Sequence, residues 1–258
     1  MFDCFAFLRR GTRVCLAAVF GMSFISAASA QTADEIMDDV HRILDHFPSL
    51  VAEVDMRIQS KGAERSRALR LMTKQDGDRK QIIATFRAPD SVKGAGYAMD
   101  MNMATQSQKS WVYFPSFGKA KAIKAGGRND SFFGSDFSYS DIAGRSPGQD
   151  SYELAGGDSQ YHVISAIPRD KNDTYSRLVY QISKSNKTVR SILFFDKNGR
   201  ELKRLSNLGF QEFEGIPVIA LSVMENLQTG SRTELDRGDV QVDVTLLDDD
   251  FGPSALVN

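Results

Sequence analysis

The feature that most constrains this chain is an alternation of apolar and polar residues with a period of two, restarted again and again after short turns. Between residues 50 and 59, Leu50, Ala52, Val54, Met56 and Ile58 alternate with Val51, Glu53, Asp55, Arg57 and Gln59. That spacing puts one set of side chains on a buried face of a strand and the other set in water. Similar segments follow at 67–74, 80–87, 95–103 and 110–114. A second series runs through 151–155, 161–167, 175–183, 189–195, 200–211, 218–227 and 240–246. Asp76-Gly77-Asp78 and Asp196-Lys197-Asn198-Gly199 read as hairpin turns, where glycine supplies a positive φ. About a dozen strands in meander order define a mainly β, antiparallel class. One amphipathic helix precedes them at 33–47, with Ile36, Met37, Val40, Ile43, Leu44 and Phe47 on one stripe. Thr32 and Glu35 have capping-box spacing at its start, and Pro48 stops it.

Residues 1–30 read as a secretory signal peptide. Arg9, Arg10 and Arg13 form the basic flank, 14–28 the apolar and small-residue stretch, and Ala28-Ser29-Ala30 the cleavage site. An uncleaved anchor is the alternative, although the stretch is short beside the roughly 20 residues of a bilayer span. Cleavage leaves 31–258 as one exported domain, expected in an envelope compartment, and removes Cys4 and Cys15, the only cysteines. No disulfide can then staple the fold, so its stability must come from apolar burial. The formal net charge of −1, with no basic stripe, excludes nucleic acid as the natural partner. No second apolar run is long enough to span a bilayer, so membrane contact is expected to be peripheral.

Residues 126–148 break the rhythm. GGRNDSFFGSDFSYSDIAGRSPG is rich in glycine, serine and aspartate yet carries Phe132, Phe133, Phe137 and Tyr139. A long irregular connection in a compact domain is often functional. Those rings act either as a lid over an apolar space or as filling at the end of the core. Tyr97, Met99, Met101 and Met103 project to one side of one strand, and Trp111 and Tyr113 to one side of the next. Methionine suits a wall that adapts to apolar guests, and equally an ordinary core. The ligand-binding wall is therefore assigned to Tyr97, Met99, Met101, Trp111 and Tyr113, and the lid to Phe132, Phe133, Phe137 and Tyr139.

Catalytic and metal signatures are not evident. His41 and His46 lie about 140° apart around a helix, too far to share a metal, and read as solvent-facing. Asp248-Asp249-Asp250 lacks the spaced ligands of a calcium loop and reads as a solvated turn. An enzyme would have to draw on Asp136, Tyr139 and His162. No catalytic residue, metal or cofactor is assigned, and a binding protein is favoured over an enzyme. The basic run Lys119, Lys121 and Lys124 is either a contact for acidic head groups or partner carboxylates, or a solvated strand edge.

Three motifs carry a resemblance: Gly94-Ala95-Gly96-Tyr97; Trp111-Val112-Tyr113-Phe114-Pro115 followed by the three lysines; and the run from Phe133 through Gly134-Ser135-Asp136-Phe137-Ser138-Tyr139 to Ile142. Over residues 33–255 the chain resembles the outer-membrane lipoprotein-sorting protein family, the LolA-like proteins. The resemblance implies an unclosed antiparallel β-barrel, a curved sheet of about eleven strands with helices over its concave apolar face. It further implies a periplasmic carrier for lipid or lipoprotein acyl chains, often accompanying an inner-membrane transporter of the resistance-nodulation-division (RND) type. A non-carrying accessory subunit of such an exporter is the alternative, with an enzyme on the same scaffold behind it. The resemblance does not place the family carrier's lid-locking arginine on a particular residue of this chain.

Overall fold

In a computed structural model, described here for residues 31–257, thirteen strands form one antiparallel sheet. The signal-peptide assignment to 1–30 lies outside the described residues. Helix α1 (Ala33–Leu44) is followed by β1 (Ser49–Ser60), β2 (Ala63–Asp76), β3 (Arg79–Ala88), β4 (Gly96–Asn102), β5 (Ser107–Tyr113) and the two-residue β6 (Lys121–Ala122). An irregular segment containing α2 (Tyr139–Ala143) leads to β7 (Asp150–Gly157), β8 (Tyr161–Pro168), β9 (Arg177–Ser183), β10 (Val189–Phe195), β11 (Glu201–Phe213), β12 (Ile216–Asn226) and β13 (Arg232–Val242), and α3 (Gly252–Ala255) ends the fold.

Strand order explains the long irregular connection. The sheet runs β6-β5-β4-β3-β2-β1-β13-β12-β11-β10-β9-β8-β7, so β1 and β13 meet in the middle while β6 and β7 are its two free edges. Consecutive in sequence, β6 and β7 lie at opposite ends of the sheet. The chain between them must cross the open mouth of the sheet, which is where the aromatic segment sits. Twist and bulges, such as those between Val51 and Glu53 and between Asn207 and Gly209, curve the sheet without closing it.

Directly opposed residues of an antiparallel pair share a face. Val54 pairs with Leu69 on one side and Arg237 on the other, and Met56 with Arg67 and Leu235. These positions face the concave core, onto which α1 packs Ile36, Met37 and Val40. Thr32 and Glu35 close the expected capping box at the start of α1, at 3.2 and 2.8 Å. The convex face is wet in the centre, where Arg57 meets Glu234 at 3.2 Å and Glu53 meets Arg70 and Arg87. Over β3 to β5 the C-terminal segment covers it, packing Phe251 and Leu256 on Ile83 and Ala98. Gly96 permits that approach: a Cβ there would lie 2.7 Å from Leu256 Cδ2 and 2.8 Å from the Ala84 carbonyl oxygen.

Three expectations need correction. The last strand lies at Arg232–Val242 rather than 240–246, because RTELDRGDVQV carries charges on its wet face and little apolar alternation on the other. Helix α1 ends at Leu44, three residues before the anticipated stop, since in a continuing helix the Pro48 ring would clash with the carbonyl four residues earlier, that of Leu44. The sheet has thirteen strands rather than about eleven, β6 being too short to leave a pattern. Among the described residues no helix is long and apolar enough to cross a membrane.

Candidate functional site

Helix α1 does not seal the concave face. Beneath it lies a cavity of about 260 Å³. Its walls are Met37, Val40 and Leu44 from α1, Val54 and Met56 from β1, Leu69 and Leu71 from β2, and Ile192, Leu205, Met224 and Leu235 from the opposite wing, with Phe132 and Phe137 from the crossing segment. A second space of about 290 Å³ adjoins it at the C-terminal end of α1, bordered by Phe47, Pro48, Lys74, Lys80 and Val218. His41, Leu44, Ile142, Ile219 and Arg237 line both. Each alone falls near the lower end of the roughly 300–1,000 Å³ usual for small-molecule sites.

The few polar groups on these walls differ in how well they are satisfied. The Asp141 carboxylate caps α2 with Ser138, accepts from the Tyr175 hydroxyl at 2.7 Å and is ion-paired with Lys203. Burial, and then the charge of Asp141, raise the Tyr175 hydroxyl well above its ordinary range. Arg145 is paired with Asp150, at 2.6 Å through Nε, and with Asp173 at 3.0 Å. Burial opposes the charge of Arg145, but Asp150 outweighs it and holds the guanidinium above its ordinary value. Among the described residues Arg237 has no such carboxylate. Its Nη1 donates to the neutral Ser222 hydroxyl at 3.1 Å, and burial alone pushes its pKa down to about 10.

His41 is buried, contrary to the solvent-facing expectation. It follows Met37 and Val40 by four and one positions, on the same inward stripe as Leu44, and its Nε2 has no hydrogen-bond partner among the described residues. Burial lowers its pKa below 6.5. His46 is exposed, as anticipated.

The crossing segment is tied to both wings. Arg67 of β2 donates to the Phe133 carbonyl. Asp136 accepts from the hydroxyls of Ser231 and Thr233, the latter at 2.7 Å, and the Asp136 amide donates to Thr233 Oγ1 at 2.9 Å. Asp141 and Arg145 add the links described above. Phe133 is held in the left-handed region at φ 48°, a conformation a bulky residue rarely adopts.

Of the four rings assigned to a lid, Phe132 and Phe137 border the cavity. Phe133 and Tyr139 instead join an aromatic cluster: Phe133 lies 4.5 Å from Phe86, and Tyr139 5.1 Å from Tyr97. Burial pushes Tyr139 up to about 12. Tyr97 and Met99 are fully buried beneath this cluster, and Met101 borders a separate, more polar hollow beside Gln108 and Arg128. Trp111 and Tyr113 are on the other side of the sheet. Their partners on β4 are Ala98 and Gly96, so both pack under the C-terminal segment and cannot wall the same space as Tyr97 and Met99. Asp136 is bound to β13 while His162 sits on β8, with four strands between them, and the enzyme trio is not assembled. Lys119, Lys121 and Lys124 are exposed at the β6 edge, Lys121 Nζ lying 3.8 Å over the Phe117 ring. Asp248 pairs with Lys74 at 2.6 Å and Arg79 at 2.9 Å. No cluster of three metal-ligating side chains occurs among the described residues.

A family model, described only as that of an uncharacterized protein, matches residues 77–258. Solved structures share the fold of this chain. A domain from Vibrio parahaemolyticus named for outer membrane lipoprotein sorting superposes with a TM-score of 0.83 at 23% identity, over 88% of this chain and 98% of that one. A DUF1329 family protein from Desulfovibrio piger gives 0.81 at 25% identity, and a LolA superfamily protein from Nitrosomonas europaea 0.70 at 23%, each over 88% of this chain and 100% of the other. The chain belongs to the family of that model, and its fold is LolA-like. No curated protein matches it. Sequence reasoning missed Arg67, Lys203 and Arg237. A charged residue on the inward side of an alternating strand was the available signal, and for Arg237 the misplaced last strand hid it.

Proposed function

We propose that this LolA-like protein is a periplasmic, non-enzymatic carrier that shelters the acyl chain of a lipid or lipoprotein under α1 and hands it between membrane partners. The observation carrying this reading is the apolar cavity between α1 and the concave sheet. Moving an acyl chain of about sixteen carbons out of a bilayer requires shelter on the order of 10 kcal/mol, at about 0.8 kcal/mol per methylene. A groove lined by leucine, isoleucine, valine and three methionines offers that shelter, and unbranched methionine adapts to guests of different length.

The moving cover in this reading is α1 rather than the aromatic segment. Among the described residues, α1 and its C-cap reach the sheet by two ion pairs, Asp45 with Lys80 at 3.2 Å and Asp39 with Lys187 at 4.0 Å, and otherwise by apolar contact. The aromatic segment, by contrast, is held by charged bonds to several strands. An RND-type exporter is the partner that the family resemblance supports. Purification without detergent, followed by lipid extraction and mass spectrometry, tests the reading: acyl lipid should co-purify, and a fluorescent acyl probe should bind the stripped protein. Empty protein that also ignores the probe would overturn it.

A further inference from the structure

Arg237 stands out among the groups that line the cavity. Every other charged side chain on its inner walls is neutralised within the protein, Asp141 by Lys203 and Arg145 by Asp150 and Asp173. The guanidinium of Arg237 faces the same space, since it is opposed to Val54 in the β1–β13 register, and makes one hydrogen bond, to a neutral hydroxyl. A guanidinium carries five N–H donors. Arg237 is half-buried, and holding a charge away from water with no counter-ion costs free energy that apolar residues of similar size would not. His41, whose Nε2 is buried and unpartnered, lines the same junction between the cavity and the space at its mouth. The two lysines at the outer rim do not share this property, because Lys80 is paired with Asp45 and Lys74 with Asp248.

From this arrangement we infer that the cargo is an anionic amphiphile, whose oxyanion head is held by Arg237 with His41 as a second donor while its acyl chain fills the apolar cavity. The inference rests on the carrier reading and narrows it. An oxyanion supplies what the site lacks: a negative charge with acceptors for the free guanidinium donors, at the point where the apolar groove opens toward Lys74 and Lys80. Carboxylate and phosphate share this chemistry, so the source of the anion is separated by experiment.

Displacement of a fluorescent, uncharged acyl probe is measured with laurate, lauroyl lysophosphatidate and methyl laurate, on the wild-type chain and on Arg237→Met. Wild type should bind at least one of the anions about tenfold or more tightly than the ester, as expected for a hydrogen-bonded charge. The tighter anion identifies the head group. Arg237→Met should lose that preference, binding the anions no more tightly than methyl laurate, and Arg237→Gln provides the same comparison in a polar background. Equal binding of anions and ester by wild type, or a preference that survives both substitutions, overturns the inference and leaves the carrier intact. Failure of all three ligands to bind overturns both.

Discussion

At the scale of single residues, burial decides what a side chain can do more than its type does. His41 is a helix histidine on a stripe that also holds Met37 and Leu44, and the sheet closes over it. Its folded pKa lies below the 6.5 of a free histidine because burial penalises the charged ring, with Asp45 partly opposing. The unfolded chain therefore takes up the proton first as the pH falls. Stability contributed by neutral His41 is complete above about 6.5 and is lost as the pH drops from there toward the folded value. Thermal unfolding followed at pH 7, 6 and 5 should show a falling midpoint, and His41→Phe should make that limb shallower without removing it, because burial and the charge of Lys184 also lower the pKa of His162. The lowered carboxylates Asp39, Asp158, Asp196 and Asp248 titrate below it. A full slope retained in His41→Phe would assign the effect to other groups.

Among the elements, the segment between β6 and β7 departs furthest from its appearance in sequence. Its serines and aspartates look like a loose loop, yet several of them fix it: Ser138 and Asp141 cap α2, and Asp136 holds β13 through Thr233. The Asp141–Lys203 pair joins α2 to β11 in a buried setting, with Lys203 also lying over the Tyr175 and Phe194 rings. Removing one partner strands the other charge. Lys203→Met should cost about 3–5 kcal/mol in urea unfolding. Adding Asp141→Asn to it should recover part of that loss, because the orphaned charge is removed. A cost below about 1 kcal/mol would mean that the pair is solvated and the segment looser than its contacts imply.

For the whole molecule, the proposed function depends on the sheet remaining incompletely filled. A protein that keeps a cavity forgoes dispersion contacts it could have had, so filling the space should stabilise the fold while abolishing its use. Leu205 lies on the cavity wall opposite α1. Leu205→Trp is expected to raise stability by about 0.5–2 kcal/mol in thermal or urea unfolding and to eliminate acyl-probe binding. Probe binding that persists in this variant would place the ligand elsewhere.

What could be read in advance and what could not follow from the range of the forces involved. Alternation of side chains, the Thr32–Glu35 cap and the glycine turns act over a few residues, and they were enough to determine a mainly β, antiparallel chain with one leading helix. Which face of each strand turns inward relative to a distant one is set by pairing between segments far apart in sequence. Only the register put Trp111 opposite Ala98 and so behind the sheet, and only the meeting of β1 with β13 turned Arg237 toward the cavity. The strand that carries Arg237 was hard to see because its stability comes from two neighbours rather than from its own composition. The hollow itself belongs to tertiary structure alone, since the space between a helix and a curved sheet is fixed by how their surfaces fail to meet.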